Sequence, residues 1–345
     1  MVEAAAEAVQ PNRYLLDLLD GEQSPETLNA WHTFSLGMQQ PISLDVSSAR
    51  FQLGVCVSKY GPIVHWRTDQ EAIYQEDNDK KGHLVQKQSL KQHTTGATRC
   101  RFFPCNEQIV TTHKSNGEVK IWALPTRVQT LRGHTNTVTD VAFLEEGKNM
   151  ITASSDGLIK YWDCLVGEEE FSLESGTTSI SCLKTMSVTE ETHLIMVTDA
   201  DSFRAYDLRT GENYFQYPCR DRGYGRPECC EQVSRDNVLC ATRSGVFLLL
   251  DLRNKRWANH RRFTEMDVAA RHGNQPRPLV LCRAHGGFFT AFNNGCVAYR
   301  RYLNTAPDVW MQSSDYAVTD LATDGQFLYS CSRDGIIRKY AIERA

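Results

Sequence analysis

The sequence predicts an all-β chain, a seven-bladed β-propeller. Three observations carry that prediction. A tight turn followed six residues later by a large side chain recurs along the chain, from Tyr60-Gly61 to Trp66, Asn116-Gly117 to Trp122, Asp156-Gly157 to Trp162 and Asp334-Gly335 to Tyr340. Looser copies run from Ala200-Asp201 to Tyr206, Ser244-Gly245 to Leu250 and Asn293-Asn294 to Tyr299. The steps between these anchors are 56, 40, 44, 44, 49 and 41 residues, the period of a four-stranded blade and not of the shorter helical repeats. Finally, the runs between turns are short, β-rich and apolar on nearly every residue, as expected for strands covered on both faces. An open β-sandwich has similar strand spacing, but no reason to repeat the turn-to-anchor distance.

The best-formed copy is 133–163, GHTNTVTDVAFLEEGKNMITASSDGLIKYWD. A Gly-His pair opens it, a Trp-Asp pair closes it, and two turn signals separate three strand candidates. That is the pattern of a WD repeat. Its His134, Thr152, Asp156 and Trp162 have the spacing of a buried relay from indole N–H to hydroxyl, imidazole and carboxylate. In the preceding copy His93, Thr112, Asn116 and Trp122 are spaced alike. A hydroxyl, His and Asp together also suggest a hydrolase triad. Here the set repeats between copies and there is no G-x-S-x-G elbow, so it reads as structural.

Each blade is expected as strands a, b and c, closed by a d strand after the anchor. The last anchor lies close to Ala345, which leaves the seventh blade one strand short. A strand candidate at 31–36 precedes the first a strand at 42–46, and is expected to close the ring as the outer strand of the last blade; open edges cost hydrogen bonds and invite aggregation. The predicted organisation is an acidic N-terminal segment, 1–30, followed by the propeller, 31–345. Within the segment Leu15, Leu16, Leu18 and Leu19 suit a short amphipathic helix, and Ser24-Pro25-Glu26 resembles a helix start. Three stretches exceed the period. The acidic 68–82 is expected on the bottom face, and 218–227 and 264–278 on the top.

Composition excludes several classes. With 345 residues, 41% hydrophobic and 23% charged, a net charge of -4 and a pI near 6.2, the chain has no electrostatic case for nucleic acid or an anionic membrane. The basic stretch 253–277 lacks the aromatic interleaving of a single-strand binder. No apolar run reaches the length of a membrane span. The acidic start, MVEAAAEAVQ, is unlike a signal peptide. The twelve cysteines include no C-x-x-C and read as reduced, buried residues. Cys100, Cys105 and His93 lack a second ligand pair for a metal. The expectation is a non-enzymatic, cytosolic protein, compatible also with the nucleus, monomeric when free, with no cofactor and no metal.

What remains is surface for another protein. The residue before each b–c turn is expected on the top rim: Lys59, Ser115, Ser155, Asp199, Arg243, Phe292 and Arg333. Arg333 stands out, because a guanidinium forks to a carboxylate; Asp315 and Asp334 are its candidate internal partners. The expected contact set is Arg333, Arg243, Asp199, Asp315 and Tyr316.

CRFFP at 100–104, the ASSDGLIKYWDC run at 153–164 and CSRDGIIRKY at 331–340, with LDVSS at 44–48, resemble the proteasomal ATPase-associated factor family. The resemblance spans about 42–345, and the chain departs from it in a shorter N-terminal region and in loop 68–82. It implies a non-enzymatic propeller that binds the C-terminal domain of an ATPase subunit of the proteasome regulatory particle and chaperones assembly of the particle's base. The alternative from another class is a substrate receptor of a cullin-type ubiquitin ligase, cued by Asp207-Leu208-Arg209 and Asp251-Leu252-Arg253. A general WD-repeat scaffold is the least specific form of the same reading.

Overall fold

The computed structural model describes residues 25–35, 41–47, 52–57, 63–67, 86–90, 97–105, 108–113, 116–123, 126–175, 179–187, 193–254, 256–262, 276–284, 287–301, 309–323 and 327–344. A first strand, β1 (Pro25–Ser35), precedes blade 1, which comprises β2 (Pro41–Ser47), β3 (Gln52–Val57), β4 (Ile63–Arg67) and β5 (Gln86–Leu90). Blade 2 follows with β6 (Ala97–Phe102), β7 (Gln108–His113), β8 (Val119–Ala123) and β9 (Thr126–Leu131). Blade 3 holds β10 (Val138–Leu144), β11 (Asn149–Ser154), β12 (Leu158–Asp163) and β13 (Glu168–Glu174). Blade 4 holds β14 (Cys182–Ser187), β15 (His193–Thr198), β16 (Ser202–Asp207) and β17 (Asn213–Pro218). Blade 5 is built from β18 (Pro227–Ser234), β19 (Asn237–Thr242), β20 (Val246–Asp251) and β21 (Arg256–Arg262), and blade 6 from β22 (Pro278–Ala284), β23 (Gly287–Phe292), β24 (Cys296–Arg300) and β25 (Val309–Gln312). The last strands are β26 (Val318–Thr323), β27 (Phe327–Ser332) and β28 (Ile336–Arg344).

These strands pair into four-stranded antiparallel sheets. Six sheets use four strands consecutive in the chain, and a further sheet has the order β1-β28-β27-β26. The expectation of seven blades, the last closed by an N-terminal strand, is corrected to six blades of consecutive strands; the remaining sheet is assembled from β1 and the last three strands. The inner strands touch in the cycle β2, β6, β10, β14, β18, β22, β26 and back to β2, so the sheets surround a central channel.

Each anchor lies on the third strand and is paired in register with an apolar residue of the second: Leu53 with Trp66, Ile109 with Trp122, Met150 with Trp162, Ile195 with Tyr206, Val238 with Leu250, Phe289 with Tyr299 and Leu328 with Tyr340. The cores lie between consecutive blades. Ile151, Ile159, Leu183 and Tyr206 pack blade 3 on blade 4, and Met196, Phe203, Cys230 and Leu248 pack blade 4 on blade 5. β19 and β20 are buried along their whole length, because a neighbouring sheet covers both faces.

The closing strand differs from its expected bounds. It begins at Pro25, not Trp31, and pairs with β28 from Pro25 opposite Arg344 to Ser35 opposite Ile336. The helix start expected at Ser24-Pro25-Glu26 is therefore a strand start, and the boundary placed at residue 31 falls inside β1. Proline lacks an amide proton and is tolerated on a sheet's outermost strand. The expected helix around Leu15–Leu19 and the loop 68–82 lie outside the described residues. Among the described residues, no helix is long and apolar enough to cross a membrane. Cys105 is exposed, against the expectation of a buried thiol, while Cys100 is buried.

Candidate functional site

Beneath the rim lies the relay of blade 3. The Trp162 indole donates to Thr152 Oγ1 at 2.8 Å, His134 Nε2 lies 2.8 Å from the same oxygen, and His134 Nδ1 lies 2.9 Å from Asp156 Oδ2. The hydroxyl thereby joins the indole to the imidazole and the imidazole to the turn carboxylate. Burial pushes the His134 pKa down, and Asp156 offsets this only in part. Burial disfavours ionisation of Asp156, but the N–H groups of Leu158 and Thr135, with His134, hold its carboxyl below the ordinary range. These groups bind the loop before β10 to the turn after β11, which is a structural task.

In blade 2 the relay is built differently from expectation. The Trp122 indole donates to Thr111, not Thr112, at 2.8 Å. Thr112 instead faces Thr98 Oγ1 at 2.7 Å and accepts the Arg99 N–H at 3.0 Å. The cause is hairpin length. Thr112 pairs with Val119 in blade 2, where Ala153 pairs with Ile159 in blade 3, so the longer turn moves the required hydroxyl back by one residue. Asn116 caps its own turn by accepting the Glu118 N–H, and His93 lies outside the described residues. The composite blade has its own version: Tyr340 donates to Ser313, Ser313 meets Ser330, and Ser314 donates to Asp334.

Charged side chains of the inner strands link the blades around the channel. Asp320 accepts the Leu44 N–H at 3.0 Å, Asp45 accepts the Phe102 N–H at 2.7 Å, and Asp140 accepts the Leu183 N–H at 3.0 Å. Arg99 lies 3.6 Å from both Asp140 and Asp320, and Arg101 lies 3.8 Å from Asp320. Burial acts to lower the Arg101 pKa, yet Asp320, Asp45 and Asp140 raise it overall. Lys184 of β14 pairs with Glu231 of β18 at 2.7 Å. These charges are engaged with one another and with backbone.

The rim itself follows from the b–c turns. In four blades a glycine N–H closes the turn onto a residue three earlier: Gly157 onto Ser154, Gly245 onto Thr242, Gly295 onto Phe292 and Gly335 onto Ser332. The glycine has positive φ, 85° at Gly295, where an added Cβ would lie 1.9 Å from the Ser314 carbonyl oxygen. This register makes Ser155, Arg243, Asn293 and Arg333 equivalent. Phe292, expected on the rim, is one residue too early and is fully buried.

Asp199 is likewise no rim residue. It is fully buried, accepts the N–H groups of Asp201 and Ser202 at 2.8 and 2.7 Å, and meets Arg204 at 2.9 Å. An aspartate wrapping the backbone that follows it is a turn-former, and Arg204 compensates its charge. Lys59 and Ser115 lie outside the described residues.

Three of the five expected contact residues do come together. Arg333 is exposed, and its N–H donates to the Ala317 carbonyl at 3.1 Å. This places it beside the loop bearing exposed Asp315 and Tyr316, the latter 60% exposed. Asp334, a candidate partner for Arg333, is engaged instead by Arg338 at 2.6 Å. Arg243 stands in blade 5, its guanidinium 3.8 Å from Glu228. Burial raises the Glu228 pKa, opposed by Arg243, Arg226 and Arg277. These three exposed arginines all act electrostatically on one carboxylate, a grouping that reading single turn positions missed. Its signal was present in the arginines of stretches 218–227 and 264–278.

The repeated blades, relay and rim define a WD-repeat β-propeller, a class that generally serves as a non-catalytic scaffold for protein binding. The family model of the WD domain, G-beta repeat, matches residues 84–123, 125–163 and 310–340. Human apoptotic protease-activating factor 1 is similar at 28% identity over 107 residues, covering 28% of this chain and 8% of that protein. The chain thus carries WD repeats, and spans less than a tenth of the length of this relative.

Proposed function

We propose that the top rim binds an ATPase subunit of the proteasome regulatory particle, through its C-terminal domain, and that the propeller chaperones assembly of the particle's base. The observation that carries this reading is the exposed cluster of Arg333, Asp315 and Tyr316, with Arg333 free of any ion pair among the described residues. Support for the partner's identity comes from CRFFP at 100–104 and CSRDGIIRKY at 331–340, the stretches that resemble the proteasomal ATPase-associated factors. The arginines around Glu228 favour an acidic partner surface, where charge pattern sets specificity and encounter rate. The mechanism is steric and electrostatic. The propeller holds one subunit until the ring forms, acts in the cytoplasm and nucleus, and is a monomer when free.

The test is co-purification from cells of the Arg333→Glu/Arg243→Glu chain, followed by mass spectrometry. ATPase subunits without core-particle subunits are expected with the native chain and are lost with the variant at an unchanged melting temperature. Retention by the variant overturns the rim assignment. The ligase-receptor reading is less favoured, since Arg253 is held by Asp236 at 3.4 Å and Asp251 at 3.8 Å.

A further inference from the structure

Antiparallel hairpins place the a–b and c–d turns of every blade on the face opposite the b–c turns. There, between blades 3 and 4, opens a cleft of about 540 Å³, within the range of roughly 300–1,000 Å³ typical of ligand sites. Phe143, Tyr161, Phe171 and Leu208 supply apolar walls, with Tyr161 stacked on Phe171 at 4.7 Å between centroids and 17° between planes. Glu145 and Glu170 stand at its edge. The Tyr161 pKa is raised first by burial and then by the charges of these two carboxylates.

Two further features single out this face of blade 3. The c–d turn exposes Leu165 by 82% and Val166 by 63%, beside the exposed Glu168 and Glu170. The a–b turn holds two successive non-glycine residues at positive φ, Glu145 at 46° and Glu146 at 56°. Each such residue costs of order 1–3 kcal/mol and persists where its surroundings hold it. Among the described residues of these turns and the cleft lining, the cations are exposed Lys148 in the same turn and Arg209 on the blade 4 side of the cleft. Neither makes an ion pair with Glu145 or Glu170 among the described residues. The carboxylates Glu145, Glu146, Glu168 and Glu170 outnumber those two cations.

We propose that this cleft is a second docking site, for an extended peptide segment of a partner protein bearing a Lys or Arg next to an aromatic or branched apolar side chain. The apolar side chain enters between Phe143, Tyr161 and Leu208, and its burial provides the affinity. The neighbouring cation reaches Glu145 and Glu170, which fixes the peptide's direction and register. Leu165 and Val166 extend the apolar contact along the turn. An acidic segment is rejected by the same carboxylates. The site lies on the opposite face from the arginine-bearing rim, so the two surfaces select partners of opposite charge.

The test is selection of displayed random peptides on the immobilised full chain, with the enriched sequence resynthesised carrying a fluorescent label for anisotropy titration. Enrichment of a Lys or Arg adjacent to Phe, Trp, Leu or Ile is expected. The Glu145→Lys/Glu170→Lys chain should bind that peptide roughly tenfold more weakly or worse with an unchanged melting curve, and Arg333→Glu/Arg243→Glu should bind it normally. Acidic or no enriched sequences, or equal binding by the two-glutamate variant, overturn the proposal. Self-association abolished by that same variant in sedimentation velocity assigns the cleft to a second copy of this chain and overturns it as well. Failure here leaves the rim reading intact, because the two variants lie on opposite faces.

Discussion

The Trp122 indole donates to the Thr111 hydroxyl at 2.8 Å, across a hairpin one residue longer than that of the neighbouring repeat. The consequence is testable by a double-mutant cycle. Thr111→Val strands a buried indole N–H and should cost about 1–3 kcal/mol. It should couple to Trp122→Phe, whereas Thr112→Val, which loses other partners, should add to Trp122→Phe independently. Urea unfolding midpoints of the single and double variants read this out; coupling at Thr112 instead would contradict the register.

Asp320 is a latch between the composite blade and blade 1, taking the Leu44 N–H and facing Arg99 and Arg101. Removing one partner of a buried charge pair costs about 3–5 kcal/mol, because the other charge is left uncompensated. Asp320→Ala is expected to lose that amount in denaturant unfolding. Asp320→Asn keeps an oxygen for Leu44 and should lose less.

Ring closure depends on β1 pairing with β28 from Pro25 to Ser35. Deleting residues 1–37 exposes the edge of β28 and should lower the melting temperature sharply while promoting aggregation. A melting curve like that of the full chain would remove β1 from any role in stability.

His134 sets a pH dependence. Burial holds its folded-state pKa below the ordinary 6.5, so the unfolded chain takes up a proton that the folded chain resists. The stability it contributes is complete above pH 6.5 and declines as the pH falls below 6.5 toward the depressed folded value. Asp156 acts lower, its pKa being depressed below 3.8 in the fold. Its share is present above 3.8 and is lost as the pH falls through the depressed value. Melting temperatures measured between about pH 5 and 8 should fall on the acid side for the native chain, and His134→Gln should flatten that slope.

Much of the fold is legible in the sequence. Spacing alone located all the anchors on third strands, because turn length and strand length are local properties of the hairpin. The blade 3 relay was legible for the same reason: His134, Thr152, Asp156 and Trp162 sit within one repeat. The blade 2 relay was not, since one additional turn residue moves the hydroxyl and nothing in the spacing to Trp122 reveals it. The closing strand was sensed but misplaced, as its start at Pro25 is set by the open edge of β28, far away in sequence.

The rim divides along the same line. The sequence by itself determined the repeated β-hairpin and the turn positions from which side chains can reach solvent, because both follow from local periodicity. Which of those side chains are free was decided only by tertiary structure. Asp199 is taken by Arg204 and its own turn, Arg338 takes Asp334 and so leaves Arg333 open, and Phe292 is buried where Asn293 reaches the turn. The cleft between blades 3 and 4 belongs to the same class, since Tyr161 and Leu208 meet only when two blades pack. Exposure is a property of neighbours, and in a ring of blades the neighbours come from another repeat.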